Sequence, residues 1–361
     1  MQNQLTDDQQ KAVMLITVKL AQLGLHVSFV HPVTVGPLIT TYRFVPKNST
    51  KVSQIESCSD DLAVALATGD VLVRKLTGEA VIGISVPNAN RCLPLWRVTL
   101  TQPVDMLVPL NLGIDAEGRL FREDLVMLPH LLIAGSTMGG KSTEVNAVLA
   151  ALMYWRQPDQ VQFCLSDTKR VDYTHLEYPC NGFMWAPTAE SMYTTWELMD
   201  HLIDEIERRL TLLNAARCPN VAEHNTRHPQ RKLPYIVLVI DELADVLGGE
   251  KRGEAKIASA KLGKIVQKSR ATGIHVIACT QRPSVNIVGG VIKANFPARL
   301  TFRLPSGDDS RTVIGSYGAE HLLARGDMLY VSPNRPGVTR LHASHVDMTD
   351  VEACLRACAY R

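Results

Sequence analysis

Apolar residues in the second part of the chain fall in short unbroken runs, at 131–134, 161–166, 235–240, 274–278, 299–302 and 327–330. Runs of this length, rich in Val and Ile, predict strands buried on both faces. Between them lie stretches with helical spacing at 141–154, 191–216 and 255–271, the second ended by Pro219. Strand and helix alternating in this way predict a parallel sheet with helices on both faces. A polar stretch around 248–254 reads as an insertion between elements.

Residues 1–102 are patterned differently. Helical spacing runs over 6–24, where Thr6 is placed to cap, Asp7 and Asp8 suit the positive end of the helix dipole, and Gly24 ends it. Strand patterns follow at 26–30, 38–45, 71–73, 80–86 and 95–100, with helical spacing at 52–66 and a break at Gly36-Pro37. No phosphate loop or acidic strand end interrupts this part. We therefore expect two domains, a small α/β unit over 1–102 and a larger α/β unit over 103–361.

Composition narrows the class. The 361 residues are 46% hydrophobic, enough to fill two cores, and the formal net charge is only +2. With no global basicity, any contact with nucleic acid must come from local placement of Lys and Arg. The eight cysteines form no C-x-x-C pair and several sit in apolar runs, which predicts reduced core thiols in a cytoplasmic protein. No run reaches the roughly 18–20 apolar residues of a membrane span, so no integral membrane segment is expected.

Chemistry enters at Gly135-Ser136-Thr137-Met138-Gly139-Gly140-Lys141-Ser142-Thr143, which follows a predicted strand and opens a predicted helix. G-x-x-x-x-G-K-S in that context is a P-loop, whose backbone N–H groups wrap a polyphosphate. Lys141 is placed for the β and γ phosphates, and the Ser142 hydroxyl for Mg²⁺. The run at 235–240 ends in Asp241-Glu242, and two carboxylates at the end of a buried strand are costly unless they face a cation or a polarised water. Asp241 suits the outer shell of Mg²⁺, and Glu242 suits activation of the water that attacks the γ-phosphate. The expected fold is a RecA-like P-loop NTPase core with a smaller N-terminal α/β domain, binding and hydrolysing ATP.

Longer stretches carry a resemblance. Leu128-Pro129-His130 leading into the P-loop, Val145-Asn146 after it, and Leu233-Pro234-Tyr235 through Asp241-Glu242-Leu243-Ala244-Asp245 all resemble the FtsK/SpoIIIE DNA translocase family. So do Gln267-Lys268-Ser269-Arg270-Ala271-Thr272-Gly273-Ile274-His275, Thr280-Gln281-Arg282-Pro283-Ser284-Val285, Ile292-Lys293-Ala294-Asn295-Phe296-Pro297 and Asp309-Ser310-Arg311-Thr312. The N-terminal part is similar to that family's small domain, more loosely.

The resemblance implies an ATP-driven motor on double-stranded DNA, a homo-oligomeric ring, usually a hexamer, with nucleotide sites at subunit interfaces. It implies that Arg270 reaches a neighbour's γ-phosphate and that Gln281 senses phosphate state. It further implies that Arg282, Lys293 and Arg311, with Lys169 and Arg170 from a second loop, approach the DNA backbone. Phosphate contacts suit a motor that must move over any sequence. Gly307 stands where the family commonly has a lysine that completes the trans site, so hydrolysis is expected to lean on Arg270 or on another arginine such as Arg303. The membrane region, long linker and C-terminal winged-helix module of cell-division members are not seen, which leads us to expect a free-standing motor of a phage, plasmid or integrated element. Three alternatives stay open: an ATPase powering protein secretion, a DNA-transfer or packaging coupling factor, and a nucleotide-gated scaffold without turnover.

Overall fold

The computed structural model describes residues 5–76, 79–137, 139–173, 176, 181–248, 253–324 and 326–359. A four-stranded antiparallel sheet occupies the N-terminal part, with β1 (Val27–Val35), β2 (Ile39–Pro46), β3 (Leu72–Lys75) and β4 (Ile82–Pro87) in the order β1-β2-β4-β3. Its first helix, Asp7–Gln22, starts as the sequence indicates. Thr6 accepts from the Gln9 amide and the Gln9 side chain returns to the Thr6 amide, a closed capping box. Ile16 and Leu20 of that helix pack with Ile55, Leu62, Phe44 and Ile84 in a small separate core. The helical stretch at 52–66 is two short helices, Val52–Glu56 and Ser59–Ala65.

The larger sheet has nine strands. In chain order they are β5 (Pro109–Asp115), β6 (Leu120–Asp124), β7 (His130–Ala134), β8 (Val161–Ser166), β9 (Tyr235–Ile240), β10 (Ile274–Thr280), β11 (Ala298–Thr301), β12 (Asp327–Ser332) and β13 (Arg335–His342). Their spatial order is β6-β5-β13-β12-β11-β7-β10-β9-β8. The stretch from β11 to β8 is parallel, as the alternation of strand and helix predicts. The other half, from β12 to β6, is antiparallel, so the sheet is mixed and not wholly parallel.

Unbroken apolar runs are explained by which core each side chain enters. Leu131 and Ile133 of β7 face one apolar layer, whereas Leu132 and Ala134 face the other. Val237 and Val239 of β9 oppose Ile236, Leu238 and Ile240 in the same way. Helices Lys141–Trp155 and Met348–Ala359 cover the first layer, and Met192–Ala215 and Glu254–Lys268 cover the second.

One expected strand is a different element. The run at 95–100 forms a short 3₁₀ helix, Trp96–Thr99, with the Thr99 hydroxyl donating to the Trp96 carbonyl at 2.6 Å. A short apolar run does not distinguish strand from helix by itself. The predicted polar insertion includes residues 249–252, which lie outside the described residues.

Two buried histidines lock β7 to β10. Val276 donates its amide to His130 Nδ1 at 3.0 Å, and His130 Nε2 faces the Val266 carbonyl at 3.1 Å. His275 Nδ1 lies 2.8 Å from the Pro129 carbonyl. Each histidine ties the start of one strand to the neighbouring element, and so helps set the register in which both strands end at the same level.

Candidate nucleotide and acidic site

β7 runs straight into the P-loop, and helix Lys141–Trp155 begins immediately after it. Gly140 caps that helix with φ of 106°, a conformation glycine adopts without steric cost. A Cβ on Gly135 would come within 2.8 Å of Phe302 Cβ, so the strand-to-loop junction also needs its glycine. The loop is fixed from both sides: Gly135 donates to the Thr280 carbonyl at 3.2 Å, and Ser136 donates from its amide and hydroxyl to the Arg303 carbonyl at 3.1 and 2.9 Å. The amides at the start of the helix lack carbonyl partners within it, which suits them to phosphate. Met138 lies outside the described residues.

Parallel pairing of β9, β10 and β7 brings three strand ends together, and with them the residues singled out in the sequence. Lys141 Nζ lies 2.8 Å from both Asp241 Oδ1 and the Asp241 carbonyl oxygen. Asp241 is fully buried, which by itself would raise its pKa, but the charge and hydrogen bond of Lys141 hold it below the usual carboxylate range. Glu242 Oε1 accepts from the Thr280 hydroxyl at 2.8 Å and from the Ala244 amide at 3.2 Å, while Oε2 accepts from the Gln281 amide at 2.9 Å. Gln281 Oε1 in turn accepts from the Thr137 hydroxyl at 3.2 Å. Glu242 therefore communicates with the P-loop through one residue at the end of β10.

Sequence reasoning missed two members of this site. Asp167 and Asp172 follow β8, and one carboxylate oxygen from each lies within 4.8 Å of one from Asp241. Asp167 Oδ2 accepts from the amides of Asp172 and Tyr173 at 2.8 and 2.9 Å, which holds the turn. Burial and then the charge of Asp241 raise the Asp172 pKa; Asp172 shares a hydrogen bond with Asp241 and another with the Ser142 hydroxyl. Carboxylate oxygens gathered this closely beside a P-loop serine form a donor set of hard oxygens, which fits a divalent cation. No local spacing signalled Asp172, because only the turn after β8 carries it to Ser142.

Other predicted residues are not gathered here. Arg270 is exposed in the turn after helix Glu254–Lys268, at the opposite end of β10 from Gln281. The seven residues of β10 separate them by roughly 20 Å. Arg270 cannot reach the P-loop of its own chain. Arg282, Lys293 and Arg311 are exposed on or beside the short helices after β10 and β11. Lys169 instead turns toward the acids, 3.3 Å from Asp241 Oδ2 and 3.9 Å from Glu242 Oε2, and Arg170 pairs with Glu190 at 3.2 Å. At Gly307 a Cβ would lie 2.7 Å from the Tyr317 ring, so a lysine there would require Tyr317 to move away. Arg303 is engaged with Asp70 of the N-terminal unit at 2.9 Å.

Comparison with known proteins agrees with this arrangement. Residues 94–285 match the FtsK/SpoIIIE family model, and residues 1–88 match that of the FtsK alpha domain. The DNA translocase FtsK of Streptococcus pneumoniae is 36% identical over 94% of this chain and 45% of its own length. The chain thus spans about half the length of the curated relatives it matches. Among solved structures, the pCW3 conjugation coupling protein TcpA with ATPγS superposes with a TM-score of 0.67 at 19% identity, covering 96% of this chain and 99% of that one. The cytoplasmic domain of the Thermomonospora curvata type VII secretion ATPase EccC superposes at 0.61 with 21% identity, covering 73% of this chain and 32% of that one. These two likenesses, both below 25% identity, show a shared fold. Among the described residues no helix is long and apolar enough to cross a membrane. Sequence motifs, the geometry of the P-loop and acidic strand end, and the match over residues 94–285 place this chain in the FtsK/SpoIIIE family.

Proposed function

We propose that this chain is the motor of an ATP-driven double-stranded DNA translocase, working as a ring, with six subunits the family's usual number. The observation that carries the reading is the unbroken link from Thr137 through Gln281 to Glu242, with exposed Arg282 next in the chain. A change of phosphate state at the P-loop has a direct mechanical path to a cationic surface. The name of the FtsK relatives supports DNA as the track.

In this reading Lys141 and the loop amides hold the phosphates, and Ser142, Asp241 and Asp172 hold Mg²⁺, which supplies charge neutralisation to the triphosphate. Glu242, held by three hydrogen bonds, orients the attacking water and accepts its proton. Gln281 reports the state of the γ-phosphate. Arg270 serves the neighbouring subunit's site, since its own lies roughly 20 Å away. Arg282, Lys293 and Arg311 contact DNA phosphates. Lys169 and Arg170 are secondary contacts, because each must first release an acidic partner.

Steady-state ATPase activity with and without long linear duplex, using Lys141→Ala as the blank, tests the proposal. Stimulation that grows with duplex length and is absent with single strands is expected. Turnover indifferent to DNA would overturn it in favour of a partner-gated or protein-secretion ATPase, the role named for the EccC structure.

A further inference from the structure

A cavity of about 760 Å³ lies between the N-terminal unit and the antiparallel half of the larger sheet. β2, β3 and β4 line one side through Thr41, Arg74 and Ser85, and β6 and β13 line the other through Arg122 and Arg340. Its charge is unbalanced. The three acidic side chains that line it are each already engaged, Glu79 with Arg43 at 3.2 Å, and Asp115 and Glu117 with Arg119 at 2.7 and 2.9 Å. Two further lining arginines pair with acids outside the cavity, Arg335 with Glu123 at 2.8 Å and Arg340 with Asp327 at 2.5 Å. Arg74, Lys75 and Arg122 line the same cavity and make no ion pair among the described residues.

The arginines are also short of acceptors. Nη1 of Arg74, Nε of Arg122 and Nη1 of Arg340 are shielded from solvent and have no hydrogen-bond partner among the described residues. Arg74 Nη2 reaches the Ser316 hydroxyl only at 3.4 Å. Burial pulls the Arg74 pKa down to about 10; Glu56 opposes the fall and Arg340 adds to it, so the guanidinium stays charged at neutral pH. A charge withdrawn from water without a counter-ion is costly. Unmet donors on three arginines of one cavity point to an anion that satisfies them.

We propose that this cavity is a second anion site, separate from the P-loop, which takes a small molecule carrying several phosphate groups and bridges the N-terminal unit to the motor. Charge favours phosphate over carboxylate. Arg74, Lys75 and Arg122 leave three positive charges unmatched, which a di- or triphosphate balances in one compact group. The planar fork of arginine also matches phosphate oxygens two at a time. Ile39, Leu76 and Val338 supply apolar wall for the rest of the ligand. Arg74 and Lys75 belong to the N-terminal unit and Arg122 to the motor, so the bound anion holds the two together.

Calorimetric titration of inorganic triphosphate into the unaltered chain, with the P-loop filled beforehand by ATPγS and ionic strength held fixed, tests this. One equivalent of triphosphate is expected to bind per chain without releasing ATPγS. Arg74→Met combined with Arg122→Met keeps most of each aliphatic stem and should weaken that binding about a hundredfold, leaving ATPγS affinity within about twofold. Arg74→Lys, which keeps the charge and loses the fork, should weaken it by about tenfold or less. Triphosphate that binds only when ATPγS is absent occupies the P-loop alone and overturns the proposal, as does binding equally strong in the double variant. A poly-glutamate peptide that binds the filled chain more tightly than triphosphate would overturn the assignment to phosphate.

Discussion

Lys141 places one ammonium 2.8 Å from the Asp241 side chain and 2.8 Å from the carbonyl of the same residue, so the P-loop and the acidic strand end are clamped at a single point. Both side chains are nearly inaccessible, at 3% and 0% exposure. Removing one partner of a buried pair costs on the order of 3 kcal/mol, because the other charge is left unsolvated. Lys141→Ala should therefore lower unfolding stability in urea by about that amount, beyond its effect on nucleotide. Lys141→Ala combined with Asp241→Ala should cost less than the two single changes added. Additivity to within about 0.3 kcal/mol would show that the contact does not couple them.

Glu242→Gln should bind ATP with affinity close to that of the unaltered chain and turn it over about 10² to 10⁴ times more slowly. The three donors around Glu242 fix its position, and the amide of Gln occupies nearly the same volume. Single-turnover hydrolysis alongside equilibrium binding separates the two effects. Unchanged turnover would remove Glu242 as the general base.

Arg270→Ala should leave nucleotide affinity largely intact and remove turnover, because Arg270 lies at the far end of β10 from its own P-loop. Mixing it with Lys141→Ala subunits restores interfaces that carry one intact lysine site and one intact arginine. Partial recovery of ATPase activity in the mixture is expected, and no recovery at any ratio argues against action across subunits.

Arg282→Ala with Lys293→Ala should weaken duplex binding and flatten its salt dependence by about 0.9 units of slope for each lost phosphate contact. Both side chains are exposed, so folding stability should change by less than about 0.5 kcal/mol. An unchanged slope takes both residues off the DNA-binding surface.

His130 and His275 predict a specific acid sensitivity. Burial pushes them down to about 3 and about 4, so the folded chain keeps them neutral where the unfolded chain protonates them, below about pH 6.5. The unfolded state then binds more protons, and stability is lost as pH falls, by about 1.4 kcal/mol per pH unit for each histidine. Glu144, raised to about 8, acts in the opposite sense between its unfolded value and that pH, because there the folded state holds the extra proton. The useful comparison is therefore between the unaltered chain and His130→Gln across about pH 5 to 6.5. The variant should show the shallower loss of urea midpoint, and parallel profiles would mean that His130 is not held neutral.

Much of the motor was legible in the sequence because its signals are local. A strand buried on both faces must be apolar throughout, so 161–166 and 235–240 coincide with β8 and β9. Strand, glycine loop and helix are consecutive in the P-loop, and Asp241-Glu242 stand next to one another. Strands of the antiparallel half were less legible: β6, at one edge of the sheet, reads Leu-Phe-Arg-Glu-Asp, and β13, between β5 and β12, opens with exposed Arg-Pro-Gly, so neither shows a run or a clean alternation. Their pairing is decided by neighbours distant in the chain.

By itself, then, the sequence determined the α/β class, the phosphate loop, the acidic strand end and the family, each carried by residues close together along the chain. Only the tertiary structure decided that Gln281 bridges Thr137 and Glu242, that Asp172 joins Ser142 and Asp241, and that Lys169 turns inward. It also decided that Glu144 is buried beside a cavity, although it stands three residues after Lys141 on a helix of mixed pattern. The physical reason is the same throughout: strand register and helix packing set these distances, and both arise from contacts that sequence spacing does not encode.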